Sequence, residues 1–419
     1  AVPVSLSFGP DGGSLASATQ RCVGVGACRQ RSGAGVMCPS FQITREEKHS
    51  TRGRAHLLAE MLAGDLITGG WRSPEVGEAL DLCLACKACA SECPVGVDMA
   101  LYKAEFLHQR YRWRPRPRWH YTLGGLPLLA SAAGLAPRVA NALTPALARL
   151  GGVSTSRPLP RFARYRPVPP PGGPGALGVV LLWPDCFTRS FDPEVIGAAA
   201  RVLTAAGFGV RLPARPVCCG LTWFATGQFG LARLVLRRSL RLLRHALAAG
   251  VPVVGLEPSC VAMLRSDLLQ LLPADATAAG LARRARTLAE VLREHAPDWR
   301  PPRRGGDAVR QVHCHQHAVL GHAADDELLH MAGVRAQRVP GCCGMAGGFG
   351  YQRGHEDLSH ALAERSLAPA IRARPGALVL ADGFSCRQQI TQTTGRRALH
   401  LAELLDTSPA PAGLGPASS

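Results

Sequence analysis

The residues that could do chemistry in this chain are its cysteines, and four of them stand in one run: Cys83-Leu-Ala-Cys86-Lys-Ala-Cys89-Ala-Ser-Glu-Cys93-Pro94. Four thiolates at this spacing make the bacterial iron–sulfur run, in which three wrap one cubane and the fourth reaches another. The short loop lets the sulfurs converge on neighbouring irons, and Pro94 turns the chain away after the last of them. A redox dithiol or a zinc knuckle is the competing reading. A [4Fe–4S] cluster is the stronger one.

A second, looser motif lies upstream as Cys22-x5-Cys28, followed by Cys38-Pro39. Val25 stands where a middle cysteine would be expected. By the crossed wiring of two-cluster proteins, Cys38 completes the cluster of Cys83, Cys86 and Cys89, while Cys93 joins Cys22 and Cys28. Three thiolates admit a [3Fe–4S] cluster, a second [4Fe–4S] cluster with a non-cysteine ligand, or no cluster, with Cys22 and Cys28 packed in a core. The Cys-x5-Cys spacing is similar to that at the three-iron centre of succinate dehydrogenase iron–sulfur subunits.

Eight further cysteines fall into two sets. Cys186, Cys218-Cys219-Gly220 and Cys260 are answered by Cys314, Cys342-Cys343-Gly344 and Cys386. This pattern resembles the cysteine-rich domains of heterodisulfide reductases, where a closing Cys-x-x-Cys completes an unusual cluster. Glu257 and Gly383 occupy the first position of that closing pair, which leaves four thiols per set. Four thiolates suit a [4Fe–4S] cluster or zinc equally well, and structural or redox thiols are the competing reading. His313, His315 and His317 flank Cys314 and could add a nitrogen ligand. Gly344-Met-Ala-Gly347-Gly348-Phe-Gly350 is not a dinucleotide pattern; glycines beside thiols let the backbone approach a cluster and donate N–H to sulfur. No nucleotide fingerprint or P-loop is evident, so hydride chemistry needs a separate donor.

Two kinds of element must position these thiols. Helical periodicity over Glu46–Ala63 and Met99–Gln109 makes residues 21–110 an α-helical ferredoxin domain. Residues 111–175 form a basic, Pro/Arg-rich connector with short apolar helices, ending in the linker-like Pro169–Gly175. Beyond it, apolar runs alternate with helical patterns: Gly178–Trp183, Gly209–Leu212 and Val251–Leu256 as strands, Pro193–Ala206 and Gln228–Ala249 as helices. This is an α/β domain of two repeated Cys-Cys-Gly units, 176–300 and 307–405, joined by Arg300–Gly306. Residues 406–419 are expected to be a disordered tail. Residues 1–20, which begin with Ala1 rather than Met, are expected to be a linker from an upstream domain.

The chain has 419 residues, fifteen cysteines and a formal charge of +18. Its length and lack of an export signal argue against a secreted disulfide scaffold and for a reducing compartment. The charge suits an acidic partner or an anionic membrane face, although arginine carries nearly all of it, the lysines being Lys48, Lys87 and Lys103. No stretch reaches the roughly 18 apolar residues of a spanning helix.

The segments Cys22–Cys28, Val36–Phe41, Ser50–Ala55, Asp81–Ala100 and His313–Gln316 together resemble the C-terminal half of bacterial FAD-linked oxidases of D-2-hydroxy acids, the D-lactate and D-2-hydroxyglutarate dehydrogenase type. That half is similar to the separate iron–sulfur subunits of glycolate oxidase and anaerobic glycerol-3-phosphate dehydrogenase. The resemblance implies FAD on a missing or separate domain, and single electrons passing through clusters to a quinone or cytochrome acceptor. No catalytic residue of the chain's own is expected, and nucleic-acid binding by the basic patch has no supporting motif. The thiol spacing makes the cytoplasm the default address, and Arg110–Arg118 with the Leu/Ala-rich stretch after it is a candidate for peripheral contact at the inner membrane face. An ordinary interdomain helical pair is the plainer reading of that segment. The rival functions are a heterodisulfide-reductase-like thiol/disulfide oxidoreductase and a non-catalytic, metal-stabilised scaffold.

Overall fold

The computed structural model describes residues 3–30, 35–165 and 175–408. The expected linker 169–175 and tail 406–419 lie largely outside these residues. Residues 3–20, expected as a linker, are packed down. Leu6 and Phe8 are buried, Glu105 accepts hydrogen bonds from the Ser5 and Leu6 amides, and the Ser7 amide donates to the Gln270 carbonyl.

The first part of the chain is helical. Ser50 caps helix Thr51–Ala63 by accepting from the Gly53 amide, so the helix begins well past the Glu46 start that periodicity implied. A hydroxyl at this position satisfies one of the open amides of the first turn. Asp98 does the same for helix Met99–Arg110 through the Leu101 amide. These two helices and helix Leu15–Gln20 share a core built around Leu58, Phe106 and Tyr102.

Three short helices follow, Arg118–Thr122, Leu126–Ala133 and Pro137–Leu150. Arginines of the basic segment fix them: Arg116 donates to the Thr226 and Gly227 carbonyls, and Arg118 to the Leu150 carbonyl.

Seven strands occur among the described residues. β1 (Val179–Trp183), β2 (Gly209–Arg211), β3 (Val253–Gly255) and β4 (Ala285–Thr287) form one parallel sheet in the order β2-β1-β3-β4. β5 (Asp307–Gln311), β6 (Arg335–Val339) and β7 (Leu378–Leu380) form a second, also parallel, in the order β6-β5-β7. Central strands of parallel sheets are covered on both faces, which explains the unbroken apolar runs of β1 and β3. Val180, Leu182 and Val254 of the first sheet share one core with Ala308 and Leu380 of the second. The last helix, Leu401–Leu405, packs into that core beside Ile196 and Val202. All eight cysteines of this half follow the carboxyl ends of strands, where α/β sheets place their ligands.

Candidate metal centres

Between Cys83 and Cys89 the chain curls twice, with Ala85 and Lys87 at φ 51° and 59°. Left-handed residues alternating with ordinary ones turn successive amides and thiols inward. Cys38 enters the same space from the start of helix Pro39–Thr44, and one small cavity is lined by Cys38, Cys83, Cys86 and Cys89. Burial pushes the Cys86 and Cys89 thiols well above the ordinary cysteine value and raises Cys38 as well. Neighbouring thiols add to this: Cys38 acts on both Cys86 and Cys89, and Cys83 on Cys38. Such a set is costly to ionise without a cation at its centre, which is what a bound iron–sulfur cluster provides.

Donors already point at these sulfurs. Arg54 Nη1 lies 3.3 Å and Thr51 Oγ1 3.5 Å from Cys38 Sγ, and the Met99 amide is 3.3 Å from Cys89 Sγ. Arg54 is wholly buried, with its other nitrogens on the Ala79 carbonyl and the Ser40 hydroxyl. N–H donation to thiolate sulfur is how a protein tunes a cluster, so the donor set fits the group.

Cys28 is buried and receives the Arg52 amide at 3.3 Å, and the thiols acting on it are Cys38 and Cys22. Cys22 and Cys93 are half-buried. Arg21 joins their neighbourhoods by donating to the Gly96 carbonyl, just past Cys93. Val25 faces solvent at 60 % exposure, so it fills no part of the core.

Each sheet gathers its own four thiols. In the first, Cys186 and Cys219 bracket Cys218, and Cys219 Sγ lies 3.0 Å from Cys260 Sγ. Hydrogen bonds from Cys186 and Cys219 hold Cys218 well below the ordinary thiol value, while Cys260 is pushed up to about 12. In the second, Cys314 pairs with Cys342, and Cys343 with Cys342 and Cys386. Donation from Cys342 brings Cys314 down to about 7. The glycine of each Cys-Cys-Gly is required by its backbone: Gly344 has φ +87°, and an added Cβ would stand 2.2 Å from the Ser359 carbonyl oxygen. The Gly220 and Gly344 amides each donate to the first sulfur of their Cys-Cys pair at 3.4 Å. All fifteen cysteines are free. Among the described residues, no group of three or more His, Cys, Asp or Glu side chains is arranged to hold a single metal ion.

Sequence reasoning missed what fills the two positions without cysteine. Glu257 Oε1 accepts from Ser259 Oγ and Oε2 from the Phe384 amide, both at 2.8 Å, so this buried carboxylate bridges the two sheets' loops. His313 Nε2 is 3.8 Å from Glu257 Oε1, and its ring occupies the space where a Gly383 side chain would begin, 2.3 Å from the Cβ position. The other two histidines reach the helical part instead. His315 Nε2 donates to the Ala85 carbonyl and His317 Nε2 pairs with Glu92, each at 2.9 Å. Cys314 thereby comes close enough to Cys86 to raise its thiol. Lys87, buried between Asp98 (2.6 Å) and Asp267 (2.9 Å), ties the same loop to the first sheet's side. The thiols therefore form a succession, from Cys22 and Cys28 through Cys38 and the Cys83 loop to Cys314 and its set.

The family model of the 4Fe-4S dicluster domain matches residues 18–97, and that of the cysteine-rich domain matches residues 180–265. The chain thus carries an iron–sulfur domain followed by a cysteine-rich domain. It is 27 % identical to D-2-hydroxyglutarate dehydrogenase of Pseudomonas putida, over 92 % of this chain and 42 % of that protein. It is also 27 % identical to the glycolate oxidase iron-sulfur subunit of Escherichia coli, over 93 % of this chain and 94 % of its relative. One subunit of the Escherichia coli anaerobic glycerol-3-phosphate dehydrogenase is 26 % identical, over 54 % of this chain and 58 % of its own length. The chain thus spans about 42 % of the length of that hydroxyglutarate dehydrogenase, and nearly the whole of the glycolate oxidase subunit.

Proposed function

We propose that this module is the electron-transfer half of an FAD-dependent D-2-hydroxy acid dehydrogenase, of the D-2-hydroxyglutarate, D-lactate or glycolate class. Its partner is a flavin domain or subunit, and electrons leave to a quinone or cytochrome acceptor. The carrying observation is the cavity shared by Cys38, Cys83, Cys86 and Cys89, with Cys314 beside Cys86.

In this reading Cys38, Cys83, Cys86 and Cys89 hold one [4Fe–4S] cluster, and Cys22, Cys28 and Cys93 hold a three-iron or second four-iron cluster. The two Cys-Cys-Gly sets, Cys186/Cys218/Cys219/Cys260 and Cys314/Cys342/Cys343/Cys386, belong to two copies of one unit and hold a further cluster or zinc. The matching strand orders β2-β1-β3 and β6-β5-β7 support the duplication. Bound clusters supply one-electron transfer, which a flavin needs if its two electrons are to leave separately. The chain's own residues do the rest: Arg54, Thr51 and the Met99 amide set the charge around the sulfurs, and His315 and Lys87 hold the two halves in register.

The test is affinity capture of the chain under anaerobic conditions, followed by addition of D-2-hydroxyglutarate, D-lactate or glycolate to the complex. A co-purifying flavoprotein and substrate-dependent bleaching of the cluster absorbance are expected. A chain with intact clusters that captures no flavoprotein, and that none of these acids reduces, would overturn the assignment.

A further inference from the structure

An apolar cavity of about 470 Å³ lies where the three connector helices meet the cysteine loops. Its far wall is polar and joins three parts of the fold. Glu257 and Ser259 come from the first sheet's side, and His313 and Ser385 from the second's. The Cys83–Lys87 loop completes that wall, held there by the hydrogen bond from His315 to Ala85. The near wall is Leu126, Leu129, Ala140, Leu143 and Leu147 from helices Leu126–Ala133 and Pro137–Leu150.

Those helices are unusual on their outer side as well. Nine of the sixteen exposed large apolar side chains of the described residues fall between 113 and 150. Leu129, Leu143 and Leu147 are both about half exposed and part of the cavity lining, so the cavity opens at this face. Arg138 and Arg149 lie on the same helix, beside the leucines. A short apolar helix pair with arginines is suited to lie in an anionic lipid interface. No helix among the described residues is long and apolar enough to cross a membrane.

We propose that this cavity binds a lipid-borne quinone, entered from the membrane between helices Leu126–Ala133 and Pro137–Leu150, with its head group against the Glu257–His313–Ser385 wall. The inference rests on the electron-transfer reading above and names its acceptor. An apolar chamber with a few convergent polar groups is the ordinary form of a small-molecule site. A water-soluble protein acceptor would need neither the buried chamber nor its leucine-lined mouth. At this wall a quinone takes two electrons, delivered singly from the thiol-held centres, and one proton from solvent on each carbonyl oxygen, leaving as the quinol. The flavin partner's substrate is the electron source.

The test uses the chain purified anaerobically with its clusters, in two measurements. Titration with 2-heptyl-4-hydroxyquinoline N-oxide is expected to give saturable fluorescence quenching at one site per chain, reversed by decylubiquinone. Ala140→Trp, which fills the chamber from the connector side, should weaken that binding by about tenfold or more with the cluster EPR signals intact. An azido-ubiquinone photolabel should map to peptides within 118–150 or to those carrying Glu257, His313 and Ser385, independently of whether the variant folds. Unchanged binding in Ala140→Trp, labelling confined to other peptides, or displacement by dodecanol as readily as by decylubiquinone would each overturn the quinone site. So would an absence of saturable binding to protein with a full complement of clusters. A chain without iron would instead remove the electron-transfer reading, and iron analysis separates the two failures.

Discussion

The ring of His315 donates from Nε2 to the carbonyl of Ala85 at 2.9 Å, joining the loop after β5 to the turn between Cys83 and Cys86. Burial holds this histidine down to about 3, so the ring is neutral and the contact persists across the physiological pH range.

Replacing His315 by Ala leaves the Ala85 carbonyl without its partner at a buried junction. A buried acceptor left unsatisfied costs about 1–3 kcal/mol. Denaturation midpoints should fall accordingly, and hydrogen exchange at Ala85–Lys87 should quicken. Unchanged exchange in that loop would mean that the contact does not hold the two halves together.

Lys87 is the charged counterpart of that contact. Methionine at this position leaves Asp98 and Asp267 facing one another without a cation, and breaking a buried ion pair from one side costs about 3–5 kcal/mol. The double variant Lys87→Met, Asp267→Asn should recover part of the loss. Equal stability of the single and double variants would show that the pairing is not the source.

Arg54 acts on potential rather than on assembly. Its guanidinium at 3.3 Å from Cys38 Sγ favours the more negative, reduced cluster. Arg54→Met should lower the midpoint potential of the Cys38/Cys83/Cys86/Cys89 centre by on the order of 60 mV, one tenfold step for a single electron. A rise, read by EPR-monitored redox titration, would contradict this role.

The connector carries a pH dependence. His120 is buried against Tyr111 and Trp119, and burial, with Arg116 and Lys103 nearby, lowers its value to about 3. A depressed histidine contributes stability that is present above its ordinary value near 6.5 and lost as the pH falls toward 3. Between pH 7.5 and 5.5 the parent should therefore lose about 1.4 kcal/mol relative to His120→Phe. Parallel denaturation curves at the two pH values would refute it.

The features most legible in the sequence are those made by residues close together in the chain. The run Cys83–Cys93 curls locally, so its spacing already implied convergence, and the runs of β1 and β3 announced buried parallel strands. β4 (Ala-Arg-Thr) and the edge strand β6 (Arg-Ala-Gln-Arg-Val) have no apolar run, and their pairing with β3 and β5 is what defines them as strands. Glu257 registered as a missing cysteine, since its partners His313 and Phe384 are distant in sequence. Lys87 likewise gave no sign of Asp267, and the chamber behind the connector helices exists only once three parts of the chain are folded together. Residues 3–20 read as a linker because their polarity hides two anchors, Leu6 and Phe8.

The most direct test of the account is iron and acid-labile sulfide analysis with EPR on anaerobically purified protein, alongside a Cys86→Ser variant. The account predicts at least four iron atoms per chain for one cubane, and a reduced [4Fe–4S] signal that the variant loses. Zinc in place of iron, or a signal unaltered by Cys86→Ser, would contradict it.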